Sequence, residues 1–171
     1  KVDLHVHSDA SRDSALSGDA IIRVVRRRGL DAIAVTDHNS IAGAMRIAAM
    51  APFPVIVGEE IKSDQGEIVG LYLSERIPPG MTPEETIAAI REQGGIVYIP
   101  HPTDRLRSSV LRKEALLRVL DRVDALETLN ARVILRGDNL AAHSLARQHG
   151  LARIGGSDAH SAIEIGRAYT E

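Results

Sequence analysis

Short apolar runs alternate with longer helix-period segments over most of the 171 residues, which predicts an α/β fold, a parallel sheet or barrel with helices on its outside. The residues with metal-binding or acid-base chemistry support this class, because they fall at or just after the C-terminal ends of the apolar runs, where such folds place their sites. No internal repeat or low-complexity linker interrupts the rhythm, so a single domain spanning 1–171 is expected.

Val2 to Val6 reads as the first strand. Asp19 to Arg28 follows as a helix with an apolar face of Ile21, Ile22, Val24 and Val25, capped by Ser17 and stopped by Gly29. Its last turn carries Arg26, Arg27 and Arg28, where cations suit the helix dipole, so a solvated helix end is preferred over a nucleic-acid patch. Ala32 to Val35 is a second buried strand, Ser40 caps a helix reaching Met50, and Val55 to Val57 is a third strand after the Pro52-Phe53-Pro54 break. Ile68 to Leu73 continues the sheet.

Thr82-Pro83-Glu84-Glu85 has the makings of a capping box with proline at the first helical position, and Gly94-Gly95 ends that helix before the strand Ile96 to Ile99. Leu111 to Leu120, Ala125 to Glu127, Gly137 to His149 and Ala152 to Ile154 then read as helix, strand, helix, strand, with Gly150 as a C-cap. Seven strands result. Ala168 to Glu171 reads as a strand still under way and the first residue is not Met, so further chain is expected beyond these ends.

A hydrophobic share of 44% with 26% charged residues is a normal globular balance. The formal charge of −2 argues against a broadly cationic surface, and one Phe with three Tyr leaves few stacking platforms, so no extended nucleic-acid surface is expected. The absence of cysteine means that any metal must be held by imidazole and carboxylate. No apolar run reaches the length of a spanning helix and no signal peptide is evident, so a cytoplasmic protein without a membrane partner is expected.

In Asp3-Leu4-His5-Val6-His7, alternate strand residues share a side, so His5 and His7 face one point while Leu4 and Val6 face the other. Such a pair is a preformed metal clamp, although two histidines two apart also occur as ordinary hydrogen-bonded residues. Gly155-Gly156-Ser157-Asp158-Ala159-His160 repeats the spacing with a carboxylate and an imidazole after a glycine pair that permits close backbone approach. A closed barrel would bring the two clamps together. Between them come Asp37 and His38, then Glu59 and Glu60, then His101, each offering a ligand at the same rim. Five of the seven histidines lie at these strand ends. His143 and His149, on or at the end of a helix, read as a surface residue and a C-terminal cation. Asp9 and Asp13 in the first loop are either ligands or turn residues.

Taken together, Asp3-Leu4-His5-Val6-His7, Arg12-Asp13-Ser14, Thr36-Asp37-His38-Asn39, Gly58-Glu59-Glu60-Ile61, His101-Pro102 and Gly156-Ser157-Asp158-Ala159-His160 resemble the PHP family, the polymerase and histidinol phosphatase superfamily. The resemblance runs from Val2 to His160 and implies a distorted seven-stranded barrel holding two or three divalent ions, zinc, manganese or iron. It places His5, His7, Glu60 and Asp158 around one ion, Glu60 and His101 on a second, and Asp13, His38 and His160 around a third. Glu60 is chosen over Glu59 because the family ligand stands second after the glycine. Many members carry a histidine on the next strand, whereas Glu67 to Tyr72 offers none and Val69 lies where it is expected, so two well-held ions are expected rather than three. Glu127, at the end of the sixth strand, reads equally as a ligand or as a residue orienting a ligand histidine.

Clustered divalent ions suit phosphate-ester hydrolysis because they bind anionic oxygens, bring a water's pKa toward neutral and stabilise charge on the leaving oxygen. Metal-activated water would be the nucleophile. His101, Asp158 and His160 are the candidates for managing the leaving-group proton, with the general acid left open. Arg105 and Arg107 follow the His101 strand closely enough to hold a phosphate. The expected substrate is a small phosphorylated metabolite, a nucleotide or a nucleic-acid end. One alternative is a catalytically weak PHP module serving a larger assembly. Another is a C–N hydrolase of amidohydrolase type, against which stands the lack of a suitable lysine, since Lys62 follows a position already filled by an acid.

Overall fold

The computed structural model describes residues 1–171 as seven strands and five helices. The strands are β1 (Val2–Val6), β2 (Ala32–Val35), β3 (Val55–Ser63), β4 (Gly66–Leu71), β5 (Ile96–Ile99), β6 (Ala125–Asn130) and β7 (Ala152–Gly156). The helices are α1 (Gly18–Arg28), α2 (Ala42–Met50), α3 (Pro83–Glu92), α4 (Lys113–Val119) and α5 (Arg136–Gln148). The strands form one sheet in sequence order. The sheet closes into a barrel where Asp158 and His7 donate backbone N–H groups to the carbonyls of His5 and Ala159 at 2.7 and 2.9 Å.

The sheet is mixed rather than wholly parallel, because β3 and β4 form an antiparallel hairpin and β4 also runs antiparallel to β5. The short run Val55 to Val57 is only the start of β3, which continues through Gly58-Glu59-Glu60 to Ser63. Those acids therefore lie within a strand rather than after one. The expected strand at the C-terminus reduces to one antiparallel bridge between Thr170 and Val2.

Local signals set most helix ends. Ser17 accepts a hydrogen bond from the Ala20 N–H, Gly29 takes the left-handed conformation (φ 65°), and Thr82 with Glu85 forms the reciprocal capping box. Ser40 accepts from Ala42 N–H but sits one residue before the N-cap, Ile41.

Apolar clusters line both sides of the barrel wall. Ile21, Val24 and Val25 of α1 pack with Ile33, Val35 and Ile47, while Ile87 and Ile90 of α3 pack with Ile61, Ile68 and Ile99. A small cluster of Ala34, Val69, Leu71, Tyr98 and Ala125, with Leu4, Ile56 and Ile154 against it, draws on all seven strands and so fills the barrel interior.

A bulge in β1 refines the clamp geometry. Asp3 pairs with Ile33 and Val6 with Val35, so Leu4 and His5 on one strand stand against Ala34 alone on the other. The extra residue lets Leu4 join the interior cluster while Val6 packs under the helices, so the two do not share a face as strict alternation predicts. His5 and His7 still converge.

Candidate metal centre

The barrel rim gathers imidazoles and carboxylates into one continuous ring. On its inner side the Nε2 atoms of His5 and His7 lie 3.1 Å apart, 3.4 and 3.3 Å from Glu60 Oε2, and 3.7 and 3.5 Å from Asp158 Oδ1. The other oxygen of Glu60 meets His101 Nε2 at 3.2 Å, and His38 Nδ1 lies 3.1 Å from Glu60 Oε2. Glu60 thus faces four imidazoles, as its place at the centre of the ring requires. On the outer side Asp13 Oδ2 lies 3.4 Å from His38 Nε2 and 3.2 Å from His160 Nε2.

Glu67 completes the ring, and the sequence reading missed it. Its carboxylate oxygens lie 3.8 Å from His101 Nε2 and 4.0 Å from His38 Nδ1. The strand in question carries its donor at Glu67 instead of Val69, which is committed to the barrel interior. The available signal was an acid entering β4 from a tight hairpin with β3. Glu67 thus adds a carboxylate beside His38, Glu60 and His101 where the sequence offered no histidine.

Glu127 points to the back of an imidazole. Its Oε1 lies 3.1 Å from His5 Nδ1, while Oε2 accepts from His101 N–H at 2.8 Å and from Asn130 Nδ2 at 3.0 Å. That contact fixes the His5 tautomer and leaves Nε2 free to face the ring. Ser11 Oγ, 3.2 Å from His7 Nδ1, donates to Asp37, and Asn130 Nδ2 donates to Asp158 Oδ2 at 3.1 Å. Asp3 accepts from the backbone N–H groups of Ser157 and Gly166, tying β1 to the loop that carries Asp158 and His160, and burial pushes its carboxyl to about 6.

Two ring positions carry strained backbone, His101 at φ 32° and Asp158 at φ 54°. Gly156 permits the closest approach at the seam, since a Cβ there would stand 2.5 Å from His5 Cβ and 2.8 Å from Glu127 Oε1.

Electrostatics follow from crowding opposite charges in a dry site. Burial disfavours charge on His5, but the carboxylates of Asp158, Glu127 and Glu60 prevail and raise its pKa well above the ordinary imidazole value. His38 is likewise opposed by burial yet raised to about 9, chiefly by Glu60. Burial opposes ionisation of Glu60 and Asp158, and the facing imidazoles overcome it, holding both carboxyls well below the usual range. Burial and the Glu60 charge raise Glu67.

The donors fit a cluster of divalent ions. His5, His7 and Glu60 present one ligand atom each within 4.8 Å of one another, as do His38, Glu60 and Glu67, and His7, His38 and His160. The mixture of imidazole and carboxylate without thiolate suits hard or borderline cations.

Two arginines approach the ring. Arg107 Nη2 lies 2.6 Å from Asp158 Oδ2 and its Nε donates to Asp104, while Arg132, not singled out from sequence, places Nη1 2.6 Å from His160 Nδ1. Arg105 is elsewhere. Its Nε pairs with buried Asp138 at 2.8 Å, so its side chain lines a groove between α4 and α5 and not the cavity above the ring. Lys62 is exposed and outside the ring.

A closed barrel with this donor ring at one rim defines an α/β barrel protein equipped to hold a cluster of divalent cations. The model of the PHP domain matches residues 3–94, and that of the PHP-associated segment matches 136–171. The chain belongs to the PHP family. It is 36% identical over 172 residues to an uncharacterized protein of Methanocaldococcus jannaschii, covering 99% of this chain and 69% of that protein. A Bifidobacterium adolescentis structure assigned as a metal-dependent phosphoesterase superposes with a TM-score of 0.79 at 18% identity, over 99% of this chain and 92% of that one. A Chromobacterium violaceum amidohydrolase with bound sulfate and no metal superposes with a TM-score of 0.77 at 19% identity, over 99% and 91%. These two likenesses establish the fold and do not choose between the chemistries. No helix is long and apolar enough to cross a membrane.

Proposed function

We propose that this chain hydrolyses phosphate esters with water as the nucleophile, using two or three zinc, manganese or iron ions held by the rim donors. The observation that carries the reading is the shared cavity, where His38, Glu67 and His160 line the same 480 Å³ space as Arg107 and Arg132. A site that pairs a cation cluster with guanidinium groups is built for an anion with several oxygens. His5, His7, Glu60 and Asp158 would hold one ion, Glu60, His101 and Glu67 a second, and Asp13, His38 and His160 a third. When bound, such ions supply Lewis acidity to the phosphoryl group and bring the ionisation of water toward neutral pH.

The chain's own residues do the rest. Arg107, held by Asp104, and Arg132, beside His160, orient the phosphate from the cavity wall. Glu127 keeps His5 aimed at the ring. His101, Asp158 and His160 remain the groups near enough to the reacting atoms to manage the leaving-group proton. The complete donor ring supports an enzyme over a merely structural module, and the exposed Lys62 offers no support for amidohydrolase chemistry.

The test is a panel of phosphomonoesters, phosphodiesters and amides, assayed with protein loaded with manganese, zinc or iron in turn. Phosphate release that stops on chelation and returns with metal is the expected result. Turnover confined to the amides would overturn the reading. Arg107→Ala is expected to raise KM for phosphate esters about tenfold, the loss of about one charge-assisted hydrogen bond, whereas Arg105→Ala leaves it unchanged.

A further inference from the structure

The cavity above the donor ring is polar except at its mouth. Of its ten lining residues only Leu106 and Ile134 are apolar, and both are exposed, at 60% and 75%. A single exposed leucine needs no explanation. Here two aliphatic side chains, from the loops after β5 and after β6, border the same space. Each stands next to or two residues from an arginine turned toward the Asp158–His160 end of the ring, Leu106 beside Arg107 and Ile134 near Arg132.

Both segments are held in place. Buried Asp104 accepts from Leu106 N–H at 2.9 Å and from Arg107 Nε at 3.2 Å, so one carboxylate sets the arginine and the leucine together. On the other side Asn130 anchors the backbone just before Ile134, its Oδ1 accepting from Arg132 N–H at 2.9 Å and its carbonyl from Val133 N–H at 3.3 Å, while the Arg132 guanidinium lies against His160. Each loop thus carries a guanidinium toward the ring and an exposed aliphatic side chain bordering the same cavity.

We propose that Leu106 and Ile134 form an apolar lip that clasps the leaving group, making the substrate an organic phosphate with a carbon-rich body, of about nucleoside size, and not a polyol phosphate or pyrophosphate. The inference rests on the phosphoesterase reading above. A cavity of 480 Å³ falls within the range of about 300–1,000 Å³ that accommodates organic ligands. A phosphoryl group seated between the arginines would leave most of that volume to the group it esterifies. Aliphatic walls suit a flat or compact apolar body, whose burial removes apolar surface from water on both partners.

Phenylphosphonate and methylphosphonate separate this inference from the reading beneath it, because they carry the same anionic head and differ only in the body that would meet the lip. Calorimetry on manganese-loaded protein is expected to give phenylphosphonate an affinity about tenfold higher, or about 1.4 kcal/mol. In the double variant Leu106→Ser with Ile134→Ser the difference should shrink to less than twofold, with methylphosphonate binding unchanged. Both side chains are exposed, so the variant should fold, and an unchanged thermal unfolding curve verifies it. Equal affinities in the unaltered protein, or a preference that survives the double substitution, overturn the lip while leaving the phosphoesterase reading intact. If neither phosphonate binds and no phosphate ester is turned over, both fail.

Discussion

The inner and outer halves of the donor ring use the same residue types in different environments. His5, His7, Glu60, His101 and Asp158 are at most 2% exposed, and Glu127, Ser11 and Asn130 stand behind His5, His7 and Asp158 respectively. On the outer side the Asp13 side chain is 57% exposed and His38 is 29% exposed, with Asp13 meeting the two imidazoles directly across solvent-facing space. A buried donor with a fixed partner is already arranged for an ion, whereas an exposed carboxylate must be ordered when the ion arrives. Preorganisation is therefore concentrated on the inner side, and ions there should be held more tightly and exchange more slowly.

The strongest challenge to that contrast is Glu60→Ala, which removes the one carboxylate shared by four imidazoles. Elemental analysis should show loss of the inner ions, and phosphate-ester turnover should fall about a thousandfold, ~4 kcal/mol in the barrier. Metal content equal to that of the unaltered protein would refute the central role of Glu60.

Next in size is Glu127→Ala. With the back of His5 released, metal affinity measured by competition with a chelator should weaken about 10–100-fold. Asp13 should count for less. Asp13→Ala is expected to lower the bound metal by about one ion per chain and turnover by about tenfold, ~1.4 kcal/mol, leaving the inner affinity unchanged. A drop in inner affinity as large as that from Glu127→Ala would mean that the two halves are not independent.

The smallest effect separates two adjacent glutamates. Glu60 faces the ring, while Glu59 Oε2 accepts from Ile77 N–H at 2.8 Å and its Oε1 is buried without a partner. Burial pushes the Glu59 carboxyl from 4.5 to about 7. Below pH 4.5 both folded and unfolded chains carry the proton, so burial of the acid costs nothing extra. Between there and about 7 the unfolded chain ionises first, and the folded state loses stability by an amount that stays constant at higher pH. Glu59→Gln removes the titrating group, so its thermal midpoint should match the unaltered protein near pH 4 and exceed it at pH 8 by about 2–6 °C, the effect of about 1–2 kcal/mol. An equal gain at both pH values would show that charge is not the cause.

What was legible in the sequence was legible for local reasons. The caps at Ser17, Gly29 and Thr82 act within one turn, the alternate spacing of His5 and His7 is a strand signal, and His38, His101 and His160 come shortly after apolar runs, all without reference to any partner. Those features, with Glu60, Asp158 and Asp13, already outlined most of the ring and the α/β barrel around it.

Tertiary structure decided the features that depend on residues far apart in the chain. The length of β3 and the antiparallel course of β4 come from pairing between the two strands, and that hairpin delivers Glu67 to the ring. The bulge in β1 exists only against β2, the aim of Glu127 depends on His5 lying across the seam, and Asp138 draws Arg105 away from the cavity that Arg132 enters from another loop. The sequence by itself therefore determined which groups could bind metal, because residue type and strand spacing are local properties. Only barrel closure decided which of them meet, what stands behind each, and which arginines line the cavity above the ring, because those contacts join residues as distant as His5 and Asp158.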